Sequence, residues 1–466
     1  MYQINFQNPI HVYFVGIGGI SMSGLAEILK DRGFTVSGSD RSASALTQRL
    51  CDEGITVHIG QRAENITEDI DLAVFTAAIH PDNPEYVRIH ELGIPSLTRA
   101  QLLGQVMKNY ETPVAVSGTH GKTTTTSMLS EMLLEAGMDP TLSIGGNLDS
   151  IGGNVRIGQS GCFVAEACEY TNSFLSLFPK ISIILNIDAD HLDFFKDLDD
   201  IRSSFARFAG LLPEDGTLII NGSIPDPERI TDGLSCRIIT FGAGPDCDYY
   251  PEDVHYDEEG HPVFTVRSKY DTGEDIGPIH LHVPGEHNIY NALAAIAAAD
   301  LLGVSRKDSA AALARFGGAG RRFQTMGTLN GAKIIDDYAH HPTEIEATLR
   351  AAAQLPHDRI ICVFQSHTFS RTKALLPEFA KALTLADLPI LADIYPARET
   401  DNLGISARTL QDAIRDLGHE CLYFPSFEEI EKYLLANCQK GDLLITMGAG
   451  NIDTVAKDLA SGTVKP

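Results

Sequence analysis

Short apolar runs of four or five residues alternate along this chain with stretches whose apolar positions recur at i, i+3, i+4. These are the patterns of buried strands and of helices laid on a sheet. His11-Val12-Tyr13-Phe14-Val15 reads as a first strand, Gly16-Ile17-Gly18-Gly19 as a tight turn, and residues 21–31 as a helix with Gly33 past its end. Phe34-Thr35-Val36-Ser37 follows and ends near Asp40. Asp71-Leu72-Ala73-Val74-Phe75 runs into Thr76-Ala77-Ala78-Ile79, and residues 95–98 precede a helix over 101–107. Pro113-Val114-Ala115-Val116 is the next buried run, before a helix carrying Met128, Leu129, Met132, Leu133 and Ala136 and stopped by Gly137. Cys162-Phe163-Val164-Ala165 ends in Glu166, and residues 181–185 end in Asn186-Ile187-Asp188-Ala189-Asp190-His191. Residues 235–282 alternate in short runs and read as an antiparallel hairpin insertion, followed by an alanine-rich helix through Leu302. Beyond the glycine-rich linker 317–320, strands at 333–335, 360–364, 389–392 and 443–446 complete a β/α series. The pattern predicts an α/β chain of three domains, at about 1–107, 108–319 and 320–466.

Composition narrows the class. At 43% hydrophobic and 21% charged, the sequence is that of a soluble globular protein. A net charge of −26 without a basic block excludes nucleic acid and anionic membrane as partners. Eight cysteines without a CxxC pair suit free thiols in a reducing compartment. Lys30 is the first Lys or Arg and no run of 18 apolar residues occurs, so neither a signal peptide nor a membrane span is expected. The expectation is a cytoplasmic protein.

Candidate chemistry sits in the loops after the strands. Gly118-Thr119-His120-Gly121-Lys122-Thr123-Thr124 joins a buried strand to a helix, the geometry that aims backbone N–H groups and a helix N-terminus at phosphate. Lys122 supplies charge for the outer phosphates, and the Thr123 hydroxyl can ligate magnesium. Val116 stands where a generic phosphate loop has its first glycine, so this loop is a variant. Glu166 and His191, delivered by neighbouring strands beside Thr123, form a candidate magnesium site. Gly16 to Gly19 with Asp40 is a dinucleotide-fold opening, with Ser21 at the third glycine position; NAD binding and a ligand-free turn both stay open. The glycines of 145–154 suit either close approach of a bulky ligand or a hairpin. Asn288 and Asn291, i and i+3 at a helix start, suit either an adenine edge or capping. The adjacent His340 and His341 lack a further ligand at zinc spacing, and no metal is assigned there. An NAD-dependent oxidoreductase would leave the phosphate loop idle, and a nucleotide switch would not explain three domains.

Together, Gly16-Ile17-Gly18-Gly19, the Gly118-to-Thr124 loop, Asp190-His191, His287-Asn288, Arg322-Phe323 and Asp336-Asp337-Tyr338-Ala339-His340-His341-Pro342 resemble the Mur ligases over essentially the whole chain. The resemblance implies a Rossmann-like N-terminal domain that binds a UDP-sugar, a central P-loop ATPase-like parallel sheet that binds ATP, and a Rossmann-like C-terminal domain that helps bind an amino acid. Within the family, the Gly-Ile-Gly-Gly start and the Asp-Asp-Tyr-Ala-His-His-Pro stretch point to the member that joins L-alanine to UDP-N-acetylmuramate, an ATP- and Mg2+-dependent step of peptidoglycan precursor synthesis. A monomer or weak homodimer is expected. Implied ATP contacts are Gly118, Thr119, His120, Gly121, Lys122, Thr123, Thr124, His287, Asn288, Asn291, Arg322 and Asp337. Implied UDP-sugar contacts are Gly16, Ile17, Gly18, Gly19, Ser21, Asp40, Ala78, Ile79 and His120. Tyr338, His340 and Arg371 would take the amino acid, Thr123, Glu166 and His191 the magnesium, and Lys122, His191 and Arg322 the catalysis. Cys168 stands where relatives often carry an acid, with Glu169 kept, and Thr368 where some carry a second arginine. The carbamylated lysine that sister ligases use after their Asp-His pair is not assigned, because no lysine occurs between Lys196 and Lys269.

Overall fold

The computed structural model describes residues 2–192, 194–270, 277–397 and 399–463. Its strands collect into three sheets of five, ten and six strands in chain order. In the first, His11–Val15 lies between Thr35–Asp40 and Leu72–Phe75 and runs parallel to both. The glycine turn after His11–Val15 therefore opens at the carboxyl edge where strand order reverses, the place such folds offer to a ligand.

The central sheet explains why three distant motifs meet. Thr112–Ser117 lies between Ile181–Ile184 and Cys162–Glu166, parallel to each. The loops leaving these strands carry Lys122, His191 and Glu166, so all three emerge at one edge. On one flank Thr141–Leu148 and Gly153–Arg156 pair antiparallel, which resolves the glycine-rich segment as a hairpin. On the other, Tyr249–Tyr256 and Pro262–Ser268 form the expected antiparallel pair. That pair is not a separate insertion. Tyr249 pairs parallel with Phe241, so the hairpin extends the central sheet. Residues 271–276 of the predicted segment lie outside the described residues. The helix Glu286–Leu301 buries its alanines with Ile289, Leu293 and Ile296 in the central core.

In the last sheet Ala332–Asp337, Asp442–Met447, Arg359–Phe364 and Leu388–Leu391 run parallel, and Gln324–Leu329 adds an antiparallel edge. The sequence pattern did not show that edge strand. Its residues, Gln-Thr-Met-Gly-Thr-Leu, carry one strongly apolar side at most and a register shift at Gly327.

The first two units share a core. Val12, Leu29, Leu102 and Val106 belong to one buried cluster with Ala115, Phe163 and Phe205 of the central unit. Gly104 lies so close to Ser176 that any added Cβ would meet its carbonyl oxygen. Among the described residues no helix is long and apolar enough to cross a membrane, and all eight cysteines are free.

Candidate functional site

The phosphate loop is held from below by one asparagine. Asn186 Oδ1 accepts the His120 N–H at 2.8 Å, its Nδ2 donates to the His120 carbonyl at 3.0 Å, and its own carbonyl takes the Thr119 N–H at 3.1 Å. Gly121 caps the helix Lys122–Glu135 with φ of 83°, and a Cβ there would sit 2.6 Å from Asn291 Oδ1. Both demands require glycine. Lys122 Nζ turns back into its loop, donating to Gly118 O at 2.5 Å, Thr119 O at 2.9 Å and Glu169 Oε2 at 3.0 Å. Burial alone would lower the Lys122 ammonium pKa, but Glu169 outweighs it and keeps the charge in place.

Glu166 accepts the Gly145 N–H at 2.6 Å and is hydrogen-bonded to Thr123. His191 Nε2 lies 3.8 Å from both Glu169 and Asp190, and its ring stacks on Tyr170 with centroids 4.4 Å apart. Glu166 is beyond ion-pair reach of His191. Burial holds the His191 imidazole below its ordinary value, the neutral form a metal needs. A hydroxyl, a carboxylate and a neutral imidazole therefore suit a divalent cation that takes its other oxygens from substrate phosphates. Burial raises the Cys168 thiol, which keeps it protonated, and burial likewise pushes the Glu166 carboxyl up.

Between the central and last sheets opens a cavity of about 260 Å³. His120, Gly121, Thr124, His287, Asn288, Asn291, Arg322 and Asp337, all predicted nucleotide contacts, line it. Asn288 Nδ2 donates to Pro284 O at 2.7 Å, and Asn291 Nδ2 to Asn288 Oδ1 at 3.0 Å, so the pair is prearranged with part of its capacity spent locally. The structure also separates two adjacent arginines. Arg321 binds Asp336 and the Gly448 and Gly450 carbonyls, fastening the linker to the last sheet, and leaves Arg322 to face the cavity. Asp337 accepts the Phe323 and Ala339 N–H groups at 2.7 Å, and burial raises its carboxyl to about 6.

Sequence reasoning missed Asp188 and Glu344, which also line this cavity. His120 lies between them, Nε2 3.2 Å from Asp188 and Nδ1 3.1 Å from Glu344. Nothing local marks either acid; Glu344 reads as an ordinary carboxylate in the first turn of a helix. Burial alone would lower the imidazole, but the two carboxylates raise it to about 9. A raised folded value means stabilisation that is complete below 6.5 and lost as pH rises through about 9. The Tm difference between the native chain and His120→Asn should therefore be largest below pH 6.5 and close above about 9. A difference that is flat with pH would show His120 to be uncharged.

At the first sheet, the Gly16 and Ile17 N–H groups donate to Ser39 O at 2.8 and 2.9 Å, and Gly18 N–H donates to Asp40 Oδ2 at 2.9 Å. Asp40, expected among the UDP-sugar contacts, here braces the glycine turn. Ile17, predicted as a UDP-sugar contact, is fully buried with its N–H spent on Ser39, so it offers a ligand no surface; Gly19, Ser21 and Ala78 are exposed and Ile79 is half-buried.

Tyr338, His340 and Arg371 gather where the last sheet meets the Asp190-His191 loop. Arg371 lies in the short helix Phe369–Ala374, whose first turn Thr368 caps by accepting the Arg371 N–H at 3.4 Å. Its guanidinium donates to Asp190 Oδ1 at 3.1 Å. Burial pushes the Asp190 carboxyl up, but Arg371 and the neighbouring histidines outweigh it and hold it well below the usual range. A cavity of about 80 Å³ lies beside Arg371, Asp190 and His191. Tyr338 packs beneath Arg321 and Arg322 at 4.9 and 5.3 Å. Burial lowers His340 to about 4, so it is neutral.

Three family models match in chain order: "Mur ligase family, catalytic domain" over residues 11–111, "Mur ligase middle domain" over 116–299, and "Mur ligase, glutamate ligase domain" over 321–450. The UDP-N-acetylmuramate–L-alanine ligase of Lachnospira eligens is 58% identical over 98% of this chain and 100% of its own length. That of Agathobacter rectalis is 56% identical over 98% and 99%. Among solved structures, the UDP-N-acetylmuramate-alanine ligase MurC of Thermotoga maritima superposes with a TM-score of 0.79 at 29% identity, covering 97% of this chain and 99% of that one. A murein peptide ligase from Psychrobacter arcticus gives 0.74 at 26%, covering 98% and 99%. With its motifs gathered at these sheet edges and nearly its whole length matched, the chain belongs to the Mur ligase family.

Proposed function

We propose that this protein is an ATP-dependent ligase that joins L-alanine to the lactyl carboxylate of UDP-N-acetylmuramate, in the cytoplasm, as a step of peptidoglycan precursor synthesis. The observation that carries this reading is the cavity walled by the phosphate loop, the start of the helix Glu286–Leu301 and Arg322 from the linker, in a chain that matches ligases of that name end to end. In the proposed division of labour, residues 1–107 hold the UDP-sugar on the Gly16 turn, 108–319 hold ATP, and 320–466 present the amino acid.

A carboxylate is a poor acyl donor. One of its oxygens attacks the γ-phosphorus of ATP, and the bond to the β-bridging oxygen breaks with its electron pair leaving on ADP. The amine of L-alanine then attacks the carbonyl carbon of the acyl phosphate, loses a proton, and phosphate departs with the C–O electron pair. Lys122 and Arg322 neutralise charge on the transferring group, as in other phosphoryl transfers. Thr123, Glu166 and His191 would hold Mg2+, which when bound screens the phosphate oxygens. His120, Arg371 and His341 link the central unit to the last, through Glu344, Asp190 and the Ala189 carbonyl, and these contacts keep the acyl phosphate from water. Neutral His340 and cationic Arg371 face the carboxylate of the incoming amino acid, with Asp190 holding Arg371 until it arrives.

ADP release should require UDP-N-acetylmuramate and L-alanine together. Turnover with other amino acids but not alanine would overturn the assignment, and tight NAD binding by the full chain without UDP-sugar binding would revive the oxidoreductase alternative. Arg371→Lys should raise the KM for L-alanine much more than that for ATP, because an ammonium cannot fork onto a carboxylate. If only ATP use weakens, Arg371 belongs to the nucleotide site.

A further inference from the structure

Glu344 turns one carboxylate oxygen to the central unit and the other to its own unit. It stands in the first turn of the helix Pro342–Ala352, with its side chain only 12% exposed, on the cavity wall. Oε1 lies 3.1 Å from His120 Nδ1, on the phosphate loop of the central unit. Oε2 accepts the His340 backbone N–H at 3.0 Å and lies 3.3 Å from its ring Nδ1, in the loop that the proposed function gives to the amino acid. His340 Nδ1 is also 3.0 Å from Tyr338 O, so this loop is tied to Glu344 at its centre. On the far side His120 is held by Asp188, 3.2 Å away. A row of charged and polar groups thus runs Asp188–His120–Glu344–His340 across the gap between the two units.

A helix-start carboxylate ordinarily reaches back to one local N–H group and leaves its second oxygen to water. Here the second oxygen is spent on a residue 224 positions away in sequence. Because the two oxygens move as one planar group, a shift of the phosphate loop displaces the His340 backbone, and the reverse. We infer that Glu344 is a positioning residue that couples the nucleotide loop to the amino-acid pocket, so that the alanine site takes its working shape only when the loop beneath the phosphates is set. This rests on the amino-acid pocket lying around His340 and Arg371.

The test is a double-mutant cycle on the full chain with Glu344→Gln, which keeps the shape and removes the charge, His120→Asn, and the pair. Each single change should raise the KM for L-alanine about tenfold at saturating ATP, the scale of one lost charge-assisted hydrogen bond. The double change should do little more than the larger single. Glu344→Asp, one methylene short of His120, should not restore it. Plain helix capping would lower Tm and active fraction without moving the KM for alanine, and that result overturns the inference. An unchanged alanine KM in His120→Asn, or losses that multiply, overturns it as well. Non-additive losses confined to the KM for ATP would remove the amino acid from the coupling. Arg371→Lys, which alters neither His120 nor Glu344, reports separately whether the pocket itself is misplaced.

Discussion

Lys122→Ala should abolish ADP release and also lower the thermal midpoint by several degrees. The catalytic loss follows from the role of the charge. One preorganised electrostatic donor is worth ~10²–10³ in rate, and an ammonium that meets the phosphoryl oxygens directly is worth at least that. The stability loss follows from what the ammonium does before ATP arrives. It is 3.0 Å from Glu169 Oε2, and the Glu169 side chain is 3% exposed. Removing one partner leaves the other charge buried and alone, a defect of about 3–5 kcal/mol. Lys122→Ala/Glu169→Gln should therefore recover much of the midpoint and none of the activity. Retained turnover within about tenfold would remove Lys122 from phosphoryl transfer. A fall in activity that Glu169→Gln reverses would make its role purely structural.

For the metal group, Glu166→Ala and His191→Ala should each raise the Mg2+ concentration for half-maximal rate by about tenfold or more, by analogy with losses at metal-site residues. The double change should add little, since groups that act as one unit are not additive. The structure sharpens this expectation. Glu166 is bonded to Gly145 and Thr123 while His191 lies against Tyr170 and Glu169, so the two do not touch and direct coupling between them is absent. Any non-additivity must then come through a shared ion. Among the described residues no three His, Cys, Asp or Glu side chains converge on one metal position. Losses that multiply strictly would place Glu166 and His191 in separate sites.

Most of the loops gathered at the central sheet's carboxyl edge were legible from the chain alone because their signals are local. A buried four-residue strand, Gly118, Gly121 and then a helix specify a phosphate loop through backbone geometry that neighbours in sequence decide, and Gly121 does adopt φ of 83°. The runs ending at Glu166 and His191 are strands whatever surrounds them, and parallel pairing on either side of Thr112–Ser117 brings their ends together. What only the tertiary structure decided are matters of long-range contact. Lys122 is half-buried and turned onto the buried Glu169, 47 positions on, a pairing that no local pattern announces. Arg321 and Arg322 are alike in local pattern, and only the family resemblance singled out Arg322; the Gly448 and Gly450 carbonyls claim the first and thereby free the second. The first two units, read as separate, share one buried cluster because helices of the first pack on one face of the central sheet. Glu344 and Asp188 carried no signal, since a carboxylate becomes a bridge only when folding sets His120 between them. Periodicity and loop chemistry act over a few residues and can be read in order, whereas charge pairing across a cleft depends on distances that only the assembled fold sets.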